Sequence, residues 1–383
     1  MTQTVPPLLT MMNELLSEIS VSSTSAQWDT GNRRVIDKLA GWLSTLGFNC
    51  EVLPLAGKKD KANLIATLGT GPGGLVLSGH TDTVPFNESL WQSNPLGLSE
   101  RDNRLYGLGS TDMKGFFPIA IEAAKAFLDQ PLQQPLIILA TADEESSMDG
   151  ARALAAQGAP RARYAIIGEP TELKPIRMHK GMMMEAITVQ GRSGHSSNPL
   201  LGNNALEAMQ VVMTDLLAFR GELQQRYNNS AFEVAVPTLN LGCIHGGDNP
   251  NRICGQCELH FDLRALPGMD NADLQREIAS RLQPLAQRLQ VNISLRSLIN
   301  TLAPFEQPAD SEIVKVAQQL TGYSAGSVAY ATEGPLLQQL GWETIVMGPG
   351  SIDQAHQPDE YMALNQVQPA VDLLQKFIRH FCL

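Results

Sequence analysis

Four separate apolar runs of the chain each end on a residue able to hold a divalent metal. Leu75-Val76-Leu77-Ser78-Gly79 leads to His80, and Leu136 through Ala142 leads to Asp143-Glu144-Glu145. Tyr164 through Gly168 leads to Glu169. Thr344-Ile345-Val346-Met347 passes through Gly348-Pro349-Gly350 and reaches His356. Short apolar runs bounded by turn residues read as buried strands. Ligands of an open α/β sheet gather in the crevice outside the carboxyl ends of its strands. The pattern therefore draws two imidazoles and several carboxylates toward one point, a donor set for hydrolytic metal chemistry.

The candidate ligands are His80, Asp112, Glu145, Glu169 and His356. Nitrogen and oxygen donors without sulfur fit a catalytic zinc or cobalt site rather than a closed structural one. The set is too large for one tetrahedral ion with an open position. It suits two ions about 3.5–4 Å apart that share a carboxylate. Asp112 is placed for sharing, just before the helix at Gly115, whose dipole tolerates negative charge. Asp82 follows His80 by two residues, the spacing of a carboxylate that fixes an imidazole tautomer; a turn residue ahead of Val84-Pro85 is the alternative. Asp143-Glu144-Glu145 packs three acids behind a strongly apolar strand. A solvated cluster or helix cap is the bland explanation, but burying such a run without a cation is costly. Adjacent side chains diverge, so one glutamate can bind metal while the other faces a water as general base. Spacing alone does not say which.

The elements that carry these residues alternate strand and helix. Helices are expected over 33–46, 115–128 and 151–156, and strands over 49–54 and 63–68. The glycines of Gly69 to Gly74 are followed by a strand, which favours a tight turn over a dinucleotide loop. After Gly181 the pattern changes. Strands at 182–190, 238–244, 258–263 and 291–298, with helices at 204–221 and 271–289, give β-α-β-β-α-β, the order of a ferredoxin-like domain. Alternation then resumes through the closing helix at 367–381. The expected fold is α/β: a catalytic domain with a mixed, mostly parallel sheet in two segments, 1–181 and 299–383, interrupted by an inserted α+β domain at 182–298.

The chain has 383 residues, 43% hydrophobic and 17% charged, with a net charge of −11. Two domains suit that length, and the acidity argues against nucleic acid as a partner. No apolar stretch approaches a membrane span. Residues 1–15 lack the features of a leader, and 6–19 reads as an amphipathic surface helix. The five cysteines are scattered, which suggests a reducing, cytoplasmic setting without disulfides. Cys254 and Cys257 form a C-x-x-C, but in a strand such residues face opposite sides, so buried strand cysteines are favoured over zinc or redox chemistry.

Taken together, several segments form a specific signature. They are His80-Thr81-Asp82-Thr83-Val84-Pro85, Gly109-Ser110-Thr111-Asp112-Met113-Lys114-Gly115, Asp143-Glu144-Glu145 and Gly168-Glu169-Pro170. In order and across nearly the whole chain, they resemble the di-zinc deacylases and exopeptidases related to aminoacylase and carboxypeptidase G. The resemblance implies two zinc ions per subunit, with cobalt as the alternative. Asp112 would bridge them, with His80 and Glu169 on one ion and Glu145 and His356 on the other. Glu144 would be the general base and Asp82 would orient His80. The inserted domain would be a lid and the interface of a homodimer. Ser193-Gly194-His195-Ser196-Ser197 resembles the lid segment whose histidine reaches the partner's active site, where His195 would stabilise an oxyanion.

Finer motifs, including His179-Lys180-Gly181, Gly246-Gly247-Asp248 with Asn251-Arg252, and Gly348 to Glu360, extend the resemblance to the members of that family that remove an acetyl group from the α-nitrogen of ornithine, and the resemblance implies that activity here. Succinyl-diaminopimelate, a dipeptide or another acyl-amino acid are the rival small-molecule substrates. Arg264 and Arg252, with its neighbour Asn251, are candidates to bind the substrate carboxylate. Glu333, in Ala331-Thr332-Glu333-Gly334, is a candidate acceptor for the substrate's side-chain ammonium. A metal-binding protein without catalysis is disfavoured by the complete ligand set together with Glu144. Glycosidase chemistry also pairs carboxylates, but it leaves the histidines unexplained. His179, His245, His260 and His380 have no partner visible in sequence and read as structural.

Overall fold

The computed structural model describes residues 4–383; residues 1–3, where the segment unlike a leader begins, lie outside the described residues. The chain divides into two compact units. One comprises Met1–Arg177, Gln307–Gly326 and Thr332–Leu383, the other Met178–Glu306 and Ser327–Ala331. In chain order, the elements that matter for function are β1 (Leu75–His80), α1 (Phe116–Lys125), β2 (Leu136–Thr141), β3 (Tyr164–Pro170), β4 (Met183–Gln190), α2 (Ala205–Arg226), β5 (Thr238–Gly246), β6 (Gln256–Arg264), α3 (Asn271–Leu289), β7 (Asn292–Ser297) and β8 (Glu343–Gly348).

In the first unit β2, β1, β3 and β8 lie side by side in that order and run parallel. Every residue of β1, β2 and β3 is buried. That is why their sequences show continuous apolar runs instead of alternation, as in sheets covered on both faces. His80 pairs with Thr141 in register, so β1 and β2 end level and their following residues emerge at the same edge. Asn49–Pro54 and Ala62–Leu68 extend the sheet beyond β2 in antiparallel pairing, which makes it mixed. α1 buries Phe116, Phe117, Ile119 and Ile121 in one core with Phe377 and Ile378 of the closing helix Val367–Cys382. The early helix Leu8–Leu16 fully buries Met11, Met12, Leu15 and Leu16 in the same core, so it is an integral core element and not a peripheral one.

A small sheet that the sequence did not announce joins Ser99–Arg101, Arg104–Tyr106 and Tyr361–Ala363. Asp102 and Asn103, both at positive φ, turn its hairpin, a conformation Asp and Asn adopt more readily than most residues. Its pairing draws Glu360 against the loop that leads to Asp112, where Gly107 donates its N–H to the Glu360 carbonyl at 3.0 Å.

The second unit holds a fully antiparallel sheet in the order β5-β6-β4-β7. With α2 and α3, this is the arrangement of a ferredoxin-like sandwich. Cys257, Leu259, Phe261 and Leu263 of β6 enter a core with Val212, Leu216 and Phe219 of α2 and Ile278 and Leu282 of α3. Cys254 and Cys257 are buried free cysteines. α2 runs past Gly221 to Arg226 because Leu223 still has core to bury.

Candidate metal centre

The carboxyl ends of the parallel strands supply most of the centre. His80 is the last residue of β1 and is buried. Its Nε2 lies 3.1 Å from Asp112 Oδ1 and 3.6 Å from Glu169 Oε1. Its Nδ1 faces the main-chain carbonyl of Asp82 at 3.0 Å. The Asp82 carboxylate stands 3.8 Å from that nitrogen, so the carbonyl is the ring's partner, not the side chain. A carbonyl there fixes the proton on Nδ1 and leaves Nε2 free for a metal. The Asp82 carboxylate instead accepts the N–H groups of Glu144 and Glu145 at 3.2 and 3.0 Å. It thereby shapes the turn that aims both glutamates.

The three consecutive acids part company. Asp143, at positive φ, is ion-paired with Lys61 and bonded to Ser22. Glu145 meets His356 Nε2 at 3.0 Å. Glu144 turns toward His80 and Glu169. His356 comes from the loop after β8, is half-exposed, and also stands 3.5 Å from Asp112 Oδ2. Asp112 thus has one oxygen toward each imidazole. Among the described residues, two overlapping donor sets have atoms within 4.8 Å of one another: His80, Glu144 and Glu169, and His80, Asp112 and Glu145.

The charge balance shows what kind of group this cluster fits. Burial, reinforced by Glu169, Glu145 and Glu333, pushes the Glu144 carboxyl well above its ordinary range against the pull of His80. Burial and the charge of Asp112 do the same to Glu169 and, less strongly, to Glu145. Burial opposes the Asp112 carboxylate as well, yet the bonds from His356 and His80 outweigh it and hold the group low. Carboxylates forced together out of water need a cation or must take up protons. The donors are imidazole and carboxylate only, which fits hard-to-borderline divalent ions. The centre therefore fits metal ions, with Asp112 positioned to be shared.

A profile of peptidase family M20/M25/M40 matches residues 76–380. The acetylornithine deacetylase of Pasteurella multocida (strain Pm70) is 47% identical over 99% of each chain. That of Edwardsiella ictaluri (strain 93-146) is 48% identical over 99% of this chain and 98% of its own. The chain belongs to peptidase family M20/M25/M40. It is accordingly a metal-dependent hydrolase. The M20 fold is seen again in solved structures of low sequence identity. Aminopeptidase PepT of Bacillus cereus superposes with a TM-score of 0.75 at 17% identity, covering 99% of both chains. The YXEP protein of Bacillus subtilis, described as a dinuclear metal binding peptidase from the M20 family, gives 0.69 at 14% identity, covering 97% of this chain and 96% of its own.

Two further residues stand at this M20 centre. Glu333 is buried in the same unit, with Oε1 lacking any hydrogen-bond partner. Burial raises its carboxyl to about 7, tempered by the Thr141 hydroxyl and the charge of His80. Glu360 was not singled out as a site residue in the sequence. Its Oε1 accepts the N–H groups of Thr111 and Asp112 at 2.8 and 3.0 Å, and its Oε2 that of Gly109 at 3.1 Å. The usable signal was the acidic residue at the end of the Gly348–Glu360 segment.

The remaining candidates belong to the second unit. His195 lies in the loop after β4, bridged to Arg252, while Ser196 donates its N–H to the Asn251 carbonyl at 3.1 Å. His195 Nδ1 accepts the Ser197 N–H at 3.2 Å. A neutral ring so held carries its proton on the outward Nε2. Arg252 is paired with Asp248 at 2.7 Å and Arg264, at the end of β6, with Asp262 at 2.9 Å.

Proposed function

We propose that the protein hydrolyses N2-acetyl-L-ornithine to L-ornithine and acetate, a step of arginine biosynthesis. The reading rests on one observation: Glu144 shares a buried cluster with the imidazole and carboxylate donors at the strand ends. Relatives named acetylornithine deacetylase, matched along their whole length, support the choice of substrate.

Asp112 would be shared by two zinc ions, or cobalt with the same donors, His80 and Glu169 completing one site and Glu145 and His356 the other; bound there, the ions supply Lewis acidity that polarises the amide carbonyl and acidifies a water. Glu144 takes the proton of the attacking water and returns it to the leaving α-amine. Burial and its acidic neighbours keep its proton affinity high enough for that transfer. Asp82 holds the turn carrying Glu144 and Glu145, and its carbonyl orients His80. His195 offers its Nε2–H to the oxyanion. Arg264, and Arg252 with Asn251, bind the substrate carboxylate, the two arginines exchanging their present aspartate partners for it. Glu333 receives the side-chain ammonium, which answers its unpartnered oxygen.

Residues 182–298 act as a lid and as the interface of a homodimer, in which His195 of one subunit serves the active site of the other. Residues 1–181 and 299–383 form the catalytic domain. The protein works in the cytoplasm on a small molecule, with no nucleic acid or membrane partner; among the described residues no helix is long and apolar enough to cross a membrane.

A substrate panel tests this reading. Acetylornithine, succinyl-diaminopimelate, a dipeptide and neutral acetyl-amino acids are compared by kcat/KM with the metal-loaded enzyme. Acetylornithine should lead by at least about tenfold, a difference of about 1.4 kcal/mol. A better rate on any other member overturns the assignment.

A further inference from the structure

The turn that presents Glu144 and Glu145 is held by a buried group of charges that the hydrolytic chemistry described above does not use. Asp143, the residue before Glu144, sends its side chain to Lys61. Its Oδ1 takes an ion pair from Lys61 and a hydrogen bond from Ser22 Oγ at 2.9 Å. Both side chains of the pair are buried, 4% and 2% exposed. Lys61 Nζ also reaches Asp29 Oδ1 at 2.6 Å, and Asp29 accepts the Ser23 N–H at 3.0 Å. Asn63, two residues on from Lys61, fastens both ends of the same turn. Its Oδ1 accepts the Ala142 N–H at 3.1 Å, and its amide donates to the Gly150 carbonyl at 2.9 Å. Glu144 and Glu145 are thus held twice: Asp82 accepts their N–H groups, and Lys61 holds the residue before them.

Two features give this pair a role in aiming the turn. Asp143 has a φ of 62°, a left-handed conformation that persists where the surroundings enforce it. Relaxation of that angle re-aims the peptide that leads into Glu144. The pair is also buried, and a buried ion pair adds little stability over apolar residues of like volume, because desolvation offsets the attraction. A charge-assisted bond fixes a direction, which apolar packing does not. Ser22 and Asp29 tie the pair to a segment that also braces the loop after His80. There Thr83 donates its N–H to the Ser20 carbonyl at 3.0 Å, and Ser22 donates its own to the Thr83 carbonyl at 2.9 Å.

We propose that Lys61 and Asp143 are positioning residues of the hydrolytic reaction, their ion pair fixing the turn so that the Glu144 carboxylate faces the water it deprotonates. This role rests on that of Glu144 as general base. Neither Lys61 nor Asp143 belongs to the donor sets of the centre, so the pair acts on turnover through Glu144. A catalytic group misplaced by about 1 Å can lose about 10²-fold in rate.

Lys61→Met keeps the length of the side chain and removes the pair. Lys61→Met together with Asp143→Asn removes it without stranding a buried charge, and asparagine suits the positive φ; circular dichroism identical to that of the parent confirms that this double variant folds. With saturating zinc, kcat on the best substrate of the panel should fall roughly 10–100-fold in both variants. KM and the metal count by elemental analysis should stay at the parent's values. Introduced into Glu144→Gln, Lys61→Met should lower kcat no further, as for residues that act as one unit. Lys58→Met removes a cation paired with Asp149 at 2.9 Å and standing 3.7 Å from Asp143 Oδ2, beyond hydrogen-bond reach; its kcat should match the parent's. Parent-level kcat in the folded double variant overturns the proposal. So does a full further loss in the Glu144→Gln background, which would place the effect outside Glu144, and so does an equal fall in Lys58→Met, which would assign it to lost charge. Near-parent turnover of Glu144→Gln by itself would refute the base assignment, a failure read without any change at Lys61.

Discussion

Glu360 accepts the N–H of Asp112 at 3.0 Å with the same oxygen that accepts the N–H of Thr111 at 2.8 Å. The residue that bridges the two halves of the donor cluster is therefore held through its backbone by a second buried carboxylate. Burial, with the charge of Asp112 adding to it, raises the Glu360 carboxyl to about 8, even though it accepts three main-chain N–H groups. Partners one step behind a metal ligand govern metal affinity. Glu360→Gln replaces one of its oxygens with a donor that faces N–H groups. Zinc affinity measured by competition with a chromophoric chelator should fall roughly 10–100-fold. Unchanged affinity would show that the loop holds Asp112 without Glu360.

Glu144→Gln separates proton transfer from metal binding. The side chain keeps its size and its place on the turn fixed by Asp82. The variant should retain its metal complement by elemental analysis while kcat falls roughly 10²–10⁴-fold. Loss of metal in this variant would exchange the roles of Glu144 and Glu145.

Glu333 carries a buried oxygen with no partner, which a substrate ammonium would satisfy. Glu333→Gln should raise KM for acetylornithine far more than for a neutral acetyl-amino acid, the cost of losing a charged hydrogen bond being about 1.5–3 kcal/mol. Equal changes for both substrates would remove Glu333 from recognition and leave it a structural carboxylate.

Metal removal should act on activity and stability together. The buried carboxylates of Glu144, Glu145 and Glu169 repel one another without a cation. Dialysis against a chelator should abolish hydrolysis and lower the Tm of the first unit, and zinc or cobalt should restore both. Full activity after verified removal of metal would contradict the centre.

Glu258 provides an acid-side test in the second unit. The His260 bond, then those of Thr188 and Arg296, hold its carboxyl at about 2, below the ordinary value of 4.5. A depressed folded-state value contributes stability that is complete above about 4.5 and disappears as pH falls toward about 2. The Tm difference between the parent and Glu258→Gln should therefore shrink as pH drops through that window, which thermal melts at stepped pH would measure. The exposure of the group keeps the effect small.

Length and periodicity are local properties, and they made much of the first unit legible. β1, β2, β3 and β8 announce themselves as unbroken apolar runs because both faces of each are covered. A metal-binding side chain at or beyond the end of each run then indicates a strand-end centre. The β-α-β-β-α-β order of the second unit was equally readable, because helical and strand periods differ.

What pairs with what across the chain is not local, and only tertiary structure decided it. Glu360 reaches Asp112 across 248 positions through a small sheet whose strands are too short to show a period. The Asp82 side chain serves the Glu144–Glu145 turn while its carbonyl serves His80, a division that spacing does not encode. One bulged residue at Gly242 turns Cys243 and His245 from the helix side to the face of His260 and Glu258. Sequence placed the donors near strand ends because apolar patterning follows burial. Register, turns and bulges chose their neighbours, because those depend on hydrogen bonding between segments far apart in the chain.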